Sequence, residues 1–418
     1  MNRLPPRSGQ VSKRPIETAL NLLFTNHGLD LRGGTELFTA EVVAALADRG
    51  HRVAVFASES GAVGEMLEEA SIPVLSDPAH CPFVPQLIHG QHHLQAMAAM
   101  AAWPDTPGVF MMHGTGPWEE KPPVHPRLVR YLAPSSHFGW WLEQETGVSR
   151  SRLSVIRNFF DAERFTRVRP AGEKTGKALF FHNSIGPESR TWHEVEKACV
   201  AVGLELKSIG REFGRIVTAP EQHLADFEVV FAAGRSAIEA IASGCTVIPV
   251  NRDRAAARAH PEILDALIDL NFAPDANHHQ IEADGLIGEL KRIRPEETEE
   301  VTRRVRTELN REAVLTRLLG IYEGVREEFS GAVDESSESA AFSSYLVSLG
   351  EKVRGVDAAR AELAAQKQRA ADRAERWKKR AEMAESRLDW LEERMEAGPP
   401  WRGRLWRRLR REWERKDS

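Results

Sequence analysis

Short apolar runs alternate with helix-length segments along most of this chain, and the alternation predicts its architecture. Each apolar run has the length and composition of a buried strand, and each intervening segment can form an amphipathic helix. The alternation runs through residues 18–165, stops at a charged, proline-containing loop, and resumes through residues 170–329. We therefore predict an α/β protein of two Rossmann-like domains with a ligand cleft between them, preceded by an extension at residues 1–17.

The segment from Glu228 to Val250, EVVFAAGRSAIEAIASGCTVIPV, is the clearest βαβ unit in this pattern. A strand leads through Gly234 into a helix, whose free amides at Arg235 and Ser236 suit an anionic group such as a diphosphate. Glu239 follows about one helical turn later, in a position to accept hydrogen bonds from sugar hydroxyls. A strand-helix-strand unit without a ligand looks much the same, so the segment alone leaves both interpretations open.

Two other positions are typical of a ligand site in a parallel sheet. Gly33 and Gly34 stand between a predicted strand and a long helix, where glycines let the backbone approach a ligand. His113 ends the apolar run GVFMMH, and a polar residue at the carboxyl end of a parallel strand faces the crevice of the sheet. A purely steric glycine turn and a histidine that merely ends a strand are equally consistent with these residues.

Familiar motifs for other chemistry are absent from the sequence. The glycine pair matches neither GxGxxG nor the phosphate loop that ends in GK[ST], so it does not indicate a nicotinamide or ATP site. GxSxG is also missing, which argues against a nucleophilic hydrolase. His92 and His93 lack a third ligand at a familiar spacing, so we expect no metal site and no cofactor.

Composition narrows the class of protein further. Hydrophobic residues make up 42% of the 418-residue chain, and the formal net charge of -5 indicates no nucleic-acid partner. Cys81, Cys199 and Cys245 lie far apart in apolar or helical contexts, which predicts reduced, buried thiols. The sequence shows neither a signal peptide nor an apolar run of membrane-spanning length, so we expect a cytoplasmic protein.

Beyond residue 330 the alternation gives way to a linker and a heptad pattern. Residues 330–351 are rich in serine, alanine and acid, which predicts a linker. Residues 352–397 repeat every seven residues and predict a coiled coil that forms a homodimer, although one amphipathic helix folded back on the globular body fits the same pattern. The two core positions of the repeat are Val356, Leu363, Ala370, Trp377, Ala384 and Leu391, and Arg360, Lys367, Ala374, Ala381, Leu388 and Met395.

The last segment, residues 399–418, follows a Gly-Pro-Pro stop and combines tryptophan with arginine in WRGRLWRRLRREWERK. Its apolar residues fall on one broad helical face and its basic residues on the other, which suits the surface of an anionic bilayer. We therefore expect residues 401–416 to contact the inner face of the cell membrane peripherally. A solvated basic tail and an RNA-binding tail are the alternatives, because both use the same residue types.

Several passages, found in the right order, resemble one enzyme family. They are GGTELFTAEVVAALADRGHRVAVFA, the strand that ends at His113, YLAPSSHFGWWLEQETGVSRSRLSVIRNFFDAERF, and GRSAIEAIASGCTVIPV. Together they resemble the GT-B glycosyltransferases of the large retaining group, family four, over about residues 18–329. The resemblance implies a nucleotide-sugar donor held mainly by the second domain, a glycan or lipid-linked acceptor held mainly by the first, and no metal.

The same resemblance implies roles for individual residues. His113 matches the histidine near the transferred sugar and is the predicted catalytic residue, while Glu239 matches the acid that binds the nucleotide ribose. Glu119 and Asn158 are predicted to lie in the cleft near the acceptor. Amides and basic side chains would balance the charge of the leaving diphosphate. The predicted donor-binding residues are Gly33, Gly34, Arg190, Gly234, Arg235, Ser236 and Glu239.

Two departures from the family pattern concern the donor site. The family has a pair of glutamates separated by seven residues, and Phe231 stands where the first of them, which contacts the donor sugar, is expected. The arginine and lysine that grip the diphosphate are also missing, and Arg190 is the only basic candidate in the passage FFHNSIGPESRTW. An altered donor site, an unusual donor and a catalytically silent relative each fit these changes.

The leading hypothesis from the sequence is a cytoplasmic glycosyltransferase that moves a sugar from a nucleotide diphosphate to a glycan or cell-envelope acceptor, with retention of configuration. The alternative is a non-catalytic GT-B-like scaffold protein that assembles partners through its coiled coil. His113 and Glu239 favour the enzyme, whereas Phe231 and the changed basic passage favour the scaffold.

Overall fold

The computed structural model describes residues 19–30, 33–217, 219–274, 278–331, 333–401, 403–406 and 408. The predicted extension at residues 1–17 lies outside these ranges. The chain divides into two compact units, of which the first ends at Ala341 and the second begins at Phe342. The first unit contains two β-sheets with their helices, and the second contains the distal part of a long helix.

The first sheet lies in the N-terminal half of the chain and is built from parallel strands. Within the described residues its strands are β1 (Asn21–Leu29), β2 (Arg52–Ser60), β3 (Val74–Leu75), β4 (Leu87–Gln91), β5 (Gly108–Met111), β6 (Leu128–Ala133) and β7 (Leu153–Val155). Their order across the sheet is β3-β2-β1-β4-β5-β6-β7. The order changes direction between β1 and β4, and ligands bind beyond the carboxyl ends of parallel strands at such a switch point.

The second sheet is also built mainly from parallel strands and also has a switch point in its strand order. Within the described residues its strands are β8 (Lys177–Phe181), β9 (Glu205–Ile209), β10 (Val229–Ala232), β11 (Thr246–Asn251) and β12 (Arg254–Ala255). Their order is β12-β11-β10-β8-β9, and only the short edge strand β12 runs antiparallel to its neighbour. The switch point lies between β8 and β10, directly before the helix of the predicted βαβ unit.

Helices connect the strands and cover both faces of each sheet, as the alternating pattern predicts. The described helices are α1 (Gly34–Asp48), α2 (Ala62–Glu69), α3 (His93–Ala102), α4 (Phe138–Thr146), α5 (Arg190–Val202), α6 (Gly234–Ala242), α7 (Leu264–Asp269), α8 (Ala283–Lys291), α9 (Pro295–Glu308), α10 (Arg311–Glu328) and α11 (Glu335–Glu396). The α/β class predicted from the sequence is therefore confirmed.

Helix α10 corrects the predicted boundary of the second domain. The sequence assigns residues 311–329 to that domain, but α10 packs into the core beneath the first sheet, where Leu315 and Leu318 are fully buried. Tyr322 on the same face lies 2.5 Å from Nδ1 of His89 in β4. The apolar face at three- and four-residue spacing was visible in the sequence, but the sheet that it covers was not.

Asn310 fixes the turn that sends α10 back to the first sheet. Its Oδ1 accepts a hydrogen bond of 2.9 Å from the amide of Ala313, which caps α10. Its Nδ2 donates to the carbonyl oxygens of Arg306 and Thr307, at 3.0 and 2.9 Å, at the end of α9. One side chain therefore satisfies backbone groups at the end of one helix and at the start of the next.

Replacing Asn310 with alanine is expected to lower the free energy of unfolding by about 1–2 kcal/mol, because both helix ends lose hydrogen bonds. Urea denaturation followed by circular dichroism measures this loss. Asn310→Asp is the matched control, because it keeps the cap on α10 and gives up only the bonds to α9. If the aspartate variant lost as much stability as the alanine variant, capping of α10 would not be the cause.

The second core includes the position at which the family pattern has its first glutamate. Phe231 on β10 is fully buried with Phe180 of β8 and Ile248 of β11. Since its side chain belongs to this core, it does not line the cleft. Phenylalanine in place of the family's glutamate therefore removes a predicted donor contact and adds apolar packing beneath the second sheet.

The predicted linker at residues 330–351 is wrong for most of its length. Helix α11 begins at Glu335 and continues without a break through the predicted coiled-coil segment to Glu396. Asp334 accepts hydrogen bonds from the amide and hydroxyl of Ser337, at 3.0 and 2.9 Å, and so starts the helix. The alanine and glutamate that follow are strong helix formers, which outweighs the serine content that indicated a linker.

Helix α11 leaves apolar residues of the heptad pattern exposed. Val356, Leu363 and Trp377 are more than half exposed, and Leu388 and Leu391 are exposed as well. This exposure is consistent with the predicted coiled coil, whereas pairing with a second copy stays a prediction. The amphipathic tail predicted at 399–418 lies mainly outside the described residues. Among those that are described, no helix has the length and apolar character needed to cross a membrane.

Candidate active site

A pocket of about 500 Å³ lies between the carboxyl ends of the two sheets, within the size range of small-molecule sites. It is formed by the segment after β1, the β4–α3 junction, the turn after β5 and the first turn of α6. Its lining residues are His27, Gly33, Gly34, Thr35, Glu36, His92, His113, Pro117, Glu119, Glu120, Asn158 and Arg235. Both sheets therefore present their switch points to one shared cavity.

The N-terminus of α1 forms one wall of this pocket. Gly33 is the N-cap residue, and no side chain caps the helix. A Cβ atom on Gly34 would meet no atom within 4 Å, so the space beside its backbone is open. The first amides of the helix and its dipole are therefore available to a negatively charged group in the pocket.

The N-terminus of α6 provides a second set of amides. Gly234 adopts a φ of +59°, which glycine tolerates and other residues rarely adopt, and its amide donates to the carbonyl oxygen of Asn271 at 3.0 Å. No side chain caps this helix either. The amides of Arg235 and Ser236 follow in the first turn, as the sequence predicts. Asn158 donates to Oδ1 of Asn271 at 3.0 Å and so fixes the loop beside this turn.

Arg235 joins the two halves of the cleft through a buried ion cluster. Its Nη2 lies 2.7 Å from both carboxylate oxygens of Glu41 on α1, and its Nε lies 2.8 Å from Oε1 of Glu239 on its own helix. Arg164 adds a second contact to Glu41 at 3.2 Å. Burial raises the pKa of the Glu239 carboxyl, and the Arg235 guanidinium partly offsets this shift. The cluster holds α1 and α6 at a fixed separation.

His113 is held by a chain of hydrogen bonds that sets its protonation. Thr39 donates its hydroxyl proton to the carbonyl oxygen of Thr35 and accepts from Nε2 of Gln91 at 2.8 Å. Oε1 of Gln91 then faces Nε2 of His113 at 2.6 Å, so this nitrogen carries the proton and Nδ1 is an acceptor. Burial lowers the pKa of His113 to about 3, so the ring is neutral at physiological pH.

Glu120 is a pocket residue that sequence reasoning missed. Its Oε2 accepts a hydrogen bond of 2.8 Å from the amide of His113, and its side chain is only 6% exposed. Burial raises the pKa of Glu120 to about 7. The sequence predicted the neighbouring Glu119 instead, because nothing in the pattern distinguishes which of two consecutive glutamates turns inward.

The structure brings some predicted site residues together and leaves others outside the pocket. Those in the lining are Gly33, Gly34, His113, Glu119, Asn158 and Arg235; Gly234, Ser236 and Glu239 stand behind it on the α6 turn. Arg190 is not in the lining. It begins α5 and approaches Glu282 at 3.9 Å, so its predicted contact with the diphosphate lacks support from the pocket's geometry.

Glu120 is expected to make the protein less stable as pH rises from 4.5, the ordinary pKa of a glutamate, to about 7, the pKa of the buried Glu120 carboxyl. In this window the folded state holds a proton that the unfolded chain has lost, so the free energy of unfolding decreases by about 3 kcal/mol in total. Glu120→Gln removes this contribution, and urea denaturation at pH 5 and pH 8 measures it. The exposed Glu65→Gln is the control. If the free energies of unfolding of the Glu120 variant and the wild type differed by the same amount at both pH values, the pH dependence would not come from Glu120.

The prediction that no metal is needed stays a prediction. Among the residues that the structure describes, no group of three or more His, Cys, Asp or Glu side chains is arranged to hold a metal ion. The charges in the pocket come from carboxylates, from Arg235 and from the helix dipoles.

Two Rossmann-like sheets that share a pocket at their switch points define the GT-B fold. The chain is similar to a glycosyltransferase from Rickettsia africae ESF-5, with 13% identity, a TM-score of 0.53, and coverage of 74% of this chain and 100% of that one. It is also similar to Anabaena Alr3699/HepE in complex with UDP and glucose, with 14% identity, a TM-score of 0.50, and coverage of 73% and 100%. No curated protein matches the chain in sequence.

The family match lies in the first half of the molecule. Residues 32–164 match the model of Glycosyltransferase Family 4. This range contains the N-terminus of α1, the turn that carries His113 and Glu120, and the passage that ends near Phe165. The fold is therefore similar to that of GT-B glycosyltransferases, and residues 32–164 are similar to Glycosyltransferase Family 4.

Proposed function

We propose that the protein transfers a sugar from a nucleoside-diphosphate donor to a glycan or cell-envelope acceptor, with retention of anomeric configuration. The observation that carries this proposal is the convergence of two uncapped helix N-termini, of α1 and α6, on one pocket that also contains a neutral histidine. The Anabaena protein of similar fold, which was solved with UDP and glucose, supports a nucleotide-sugar as the donor.

The helix N-termini would act on the diphosphate. In the transfer the bond between the anomeric carbon and the diphosphate oxygen breaks, and a bond from that carbon to the acceptor hydroxyl oxygen forms. Negative charge grows on the leaving diphosphate, and helix amides held beside this position would stabilise it without reorganising. Arg235 lines the same wall in a passage where the family's usual basic pair is missing, and its guanidinium is paired with Glu41 and Glu239.

His113 would orient the sugar. Its Nδ1 is an acceptor, because Gln91 holds the proton on Nε2, and an acceptor at this position can receive a hydrogen bond from a sugar hydroxyl. Glu119 and Asn158 lie in the same lining and are the proposed acceptor contacts. Glu239 would bind the ribose with the carboxylate that Arg235 orients.

A panel of UDP-, GDP- and other nucleotide-sugars tests this proposal. We expect one donor to be consumed with release of its nucleoside diphosphate, and we expect His113→Ala and Glu239→Ala to slow that release by about 100-fold. Arg190→Ala is the matched control outside the pocket. If no donor is bound or turned over and Glu239→Ala changes nothing, the enzyme hypothesis fails and the scaffold hypothesis takes its place.

We also propose a site of action and an assembly state. The exposed apolar residues of α11 support pairing of two copies through this helix, and light scattering of the full chain is expected to give the mass of a dimer. The basic, tryptophan-containing sequence at 401–416 supports peripheral contact with the inner face of the cell membrane from the cytoplasm. Equal pelleting with anionic liposomes, with and without residues 399–418, would exclude this contact.

A further inference from the structure

The turn after β5 closes on itself through the carboxylate of Glu120. The chain leaves the sheet at Met111, passes His113 and the pocket, and returns in a short 3₁₀ turn at Trp118–Glu120. The Glu120 carboxylate then accepts hydrogen bonds from the amides of His113, at 2.8 Å, and of Gly114. These two amides lie just beyond the end of β5, so the Glu120 side chain takes the place of a neighbouring strand as their hydrogen-bond acceptor.

A second segment of the pocket wall converges on the same carboxylate. His92, at the β4–α3 junction, has a φ of +57°, a conformation that costs about 1–3 kcal/mol in a non-glycine residue and persists only where the surroundings enforce it. Its Nδ1 accepts a hydrogen bond of 2.9 Å from the amide of His27, so the proton resides on Nε2. That nitrogen lies 3.9 Å from Oε1 of Glu120. Three segments of the first domain therefore meet at one buried group.

We propose that Glu120 is a positioning residue of the transferase, whose carboxylate clamps the turn of residues 113–120 so that His113 and Glu119 face the donor sugar. This inference rests on the proposed function. Glu120 itself acts through His113, because both of its assigned bonds go to backbone amides of the turn. The proposal goes beyond the family resemblance, which assigns a role to His113 and none to the residue that holds it.

The charge on Glu120 decides how firmly the turn is held. The amide hydrogen bonds favour the ionised carboxylate, but the cost of burying its charge is larger, so the protonated carboxyl is the form that favours the closed turn. The titratable groups that face Glu120 are His92 from the β4–α3 junction, Glu36 from α1, Glu119 from its own turn and His113 from the end of β5. Burial, aided by the two nearby glutamates, raises the pKa of Glu120 to about 7.

Neither neighbouring histidine can produce the same pH response. Burial lowers the pKa of His113 to about 3 and that of His92 to about 4, so both rings stay neutral through the range from pH 5.5 to pH 8.5. A loosening of the turn with a midpoint near neutral pH is therefore assigned to Glu120. The turn is held firmly below the midpoint, where Glu120 is protonated, and loosely above it, where the buried carboxylate is charged.

Hydrogen exchange of the His113 and Gly114 amides tests the clamp without any substrate. After correction for intrinsic rates, we expect their protection in the wild-type protein to fall about tenfold from pH 6 to pH 8, because ionisation of the buried carboxyl favours opening of the turn. In Glu120→Gln we expect the same protection at both pH values, close to that of the wild type at pH 6, because the amide side chain carries no charge and its oxygen still accepts from the backbone. The exposed Glu65→Gln is expected to follow the wild type. Protection that is independent of pH in the wild type would overturn the proposal.

Kinetics with the donor identified by the nucleotide-sugar panel provide the second test. For the wild type we expect the donor KM to rise about tenfold from pH 6 to pH 8, with kcat changed less, whereas Glu120→Gln is expected to keep the wild-type KM of pH 6 at both pH values. A wild-type pH profile that persists in the glutamine variant would also overturn the clamp. If exchange behaves as expected but no donor is consumed, the clamp stands and the proposed transferase function fails.

Discussion

Replacing Arg235 with alanine is expected to destabilise the first unit of the protein by about 3–5 kcal/mol, the largest effect of any single substitution considered. The guanidinium is bonded to Glu41 on α1 and to Glu239 on α6, and each of these carboxylate side chains is at most 10% exposed. Without Arg235 both would remain buried, and Glu239 would have lost its cationic partner. Urea denaturation of the full chain, followed by tryptophan fluorescence, measures the loss.

Two comparison variants show whether unpaired charge is the cause. Arg190→Ala removes an arginine that also begins a helix but is half exposed, and it is expected to change stability by no more than about 0.5 kcal/mol. Adding Glu41→Gln and Glu239→Gln to Arg235→Ala is expected to recover part of the loss, since the buried charges are gone. If Arg235→Ala costs no more than Arg190→Ala, the cluster does not hold the two halves of the cleft together.

Replacing Gly34 with valine is expected to weaken donor binding by at least about 100-fold while leaving the fold intact. Gly34 lines the pocket at the N-terminus of α1, and a Cβ atom there meets no protein atom within 4 Å. The Cβ atom of the added side chain therefore clashes with no part of the protein, and the side chain occupies the space in which the diphosphate is proposed to bind. Isothermal titration calorimetry measures the affinity, and thermal denaturation reports on the fold.

Gly285→Val provides the matched control for Gly34. Gly285 lies in the first turn of α8, a Cβ atom there also meets nothing within 4 Å, and the residue is not in the pocket lining. We expect this variant to bind the donor with wild-type affinity. Wild-type affinity in Gly34→Val as well would show that the diphosphate does not lie at this helix N-terminus.

Local features of the sequence were sufficient to predict individual elements. Both ends of helix α5 are set by neighbours in the chain: Ser189 caps its first turn, and Gly203 ends it with a φ of +77°. The βαβ unit at 228–250 is confirmed for the same reason, since apolar runs and a glycine turn are local signals. The predicted linker failed because serine-rich composition was given more weight than helix propensity and the cap at Asp334.

Contacts between distant segments account for what the sequence did not predict. Glu41 and Arg235 are 194 positions apart, and no local pattern indicates that α1 and α6 supply opposite charges to one buried cluster. The return of α10 to the first sheet is another such contact. For the site, glycine turns and strand ends indicated Gly33, Gly34, His113 and Arg235, which lie in the lining of one pocket, while their roles stay predictions. The pocket also contains Glu120, whose side chain is buried. The sequence alone does not show which of two adjacent glutamates is the buried one.

The central claim is that two helix N-termini at the shared pocket bind the diphosphate of a nucleotide-sugar. Isothermal titration calorimetry of UDP, GDP and ADP, each compared with its own nucleoside, tests this claim most directly. We expect one of the diphosphates to bind at least about tenfold more tightly than its nucleoside, because the helix amides are proposed to contact only the phosphates. Equal affinity for diphosphate and nucleoside, or no binding of any of the three diphosphates, would contradict the account.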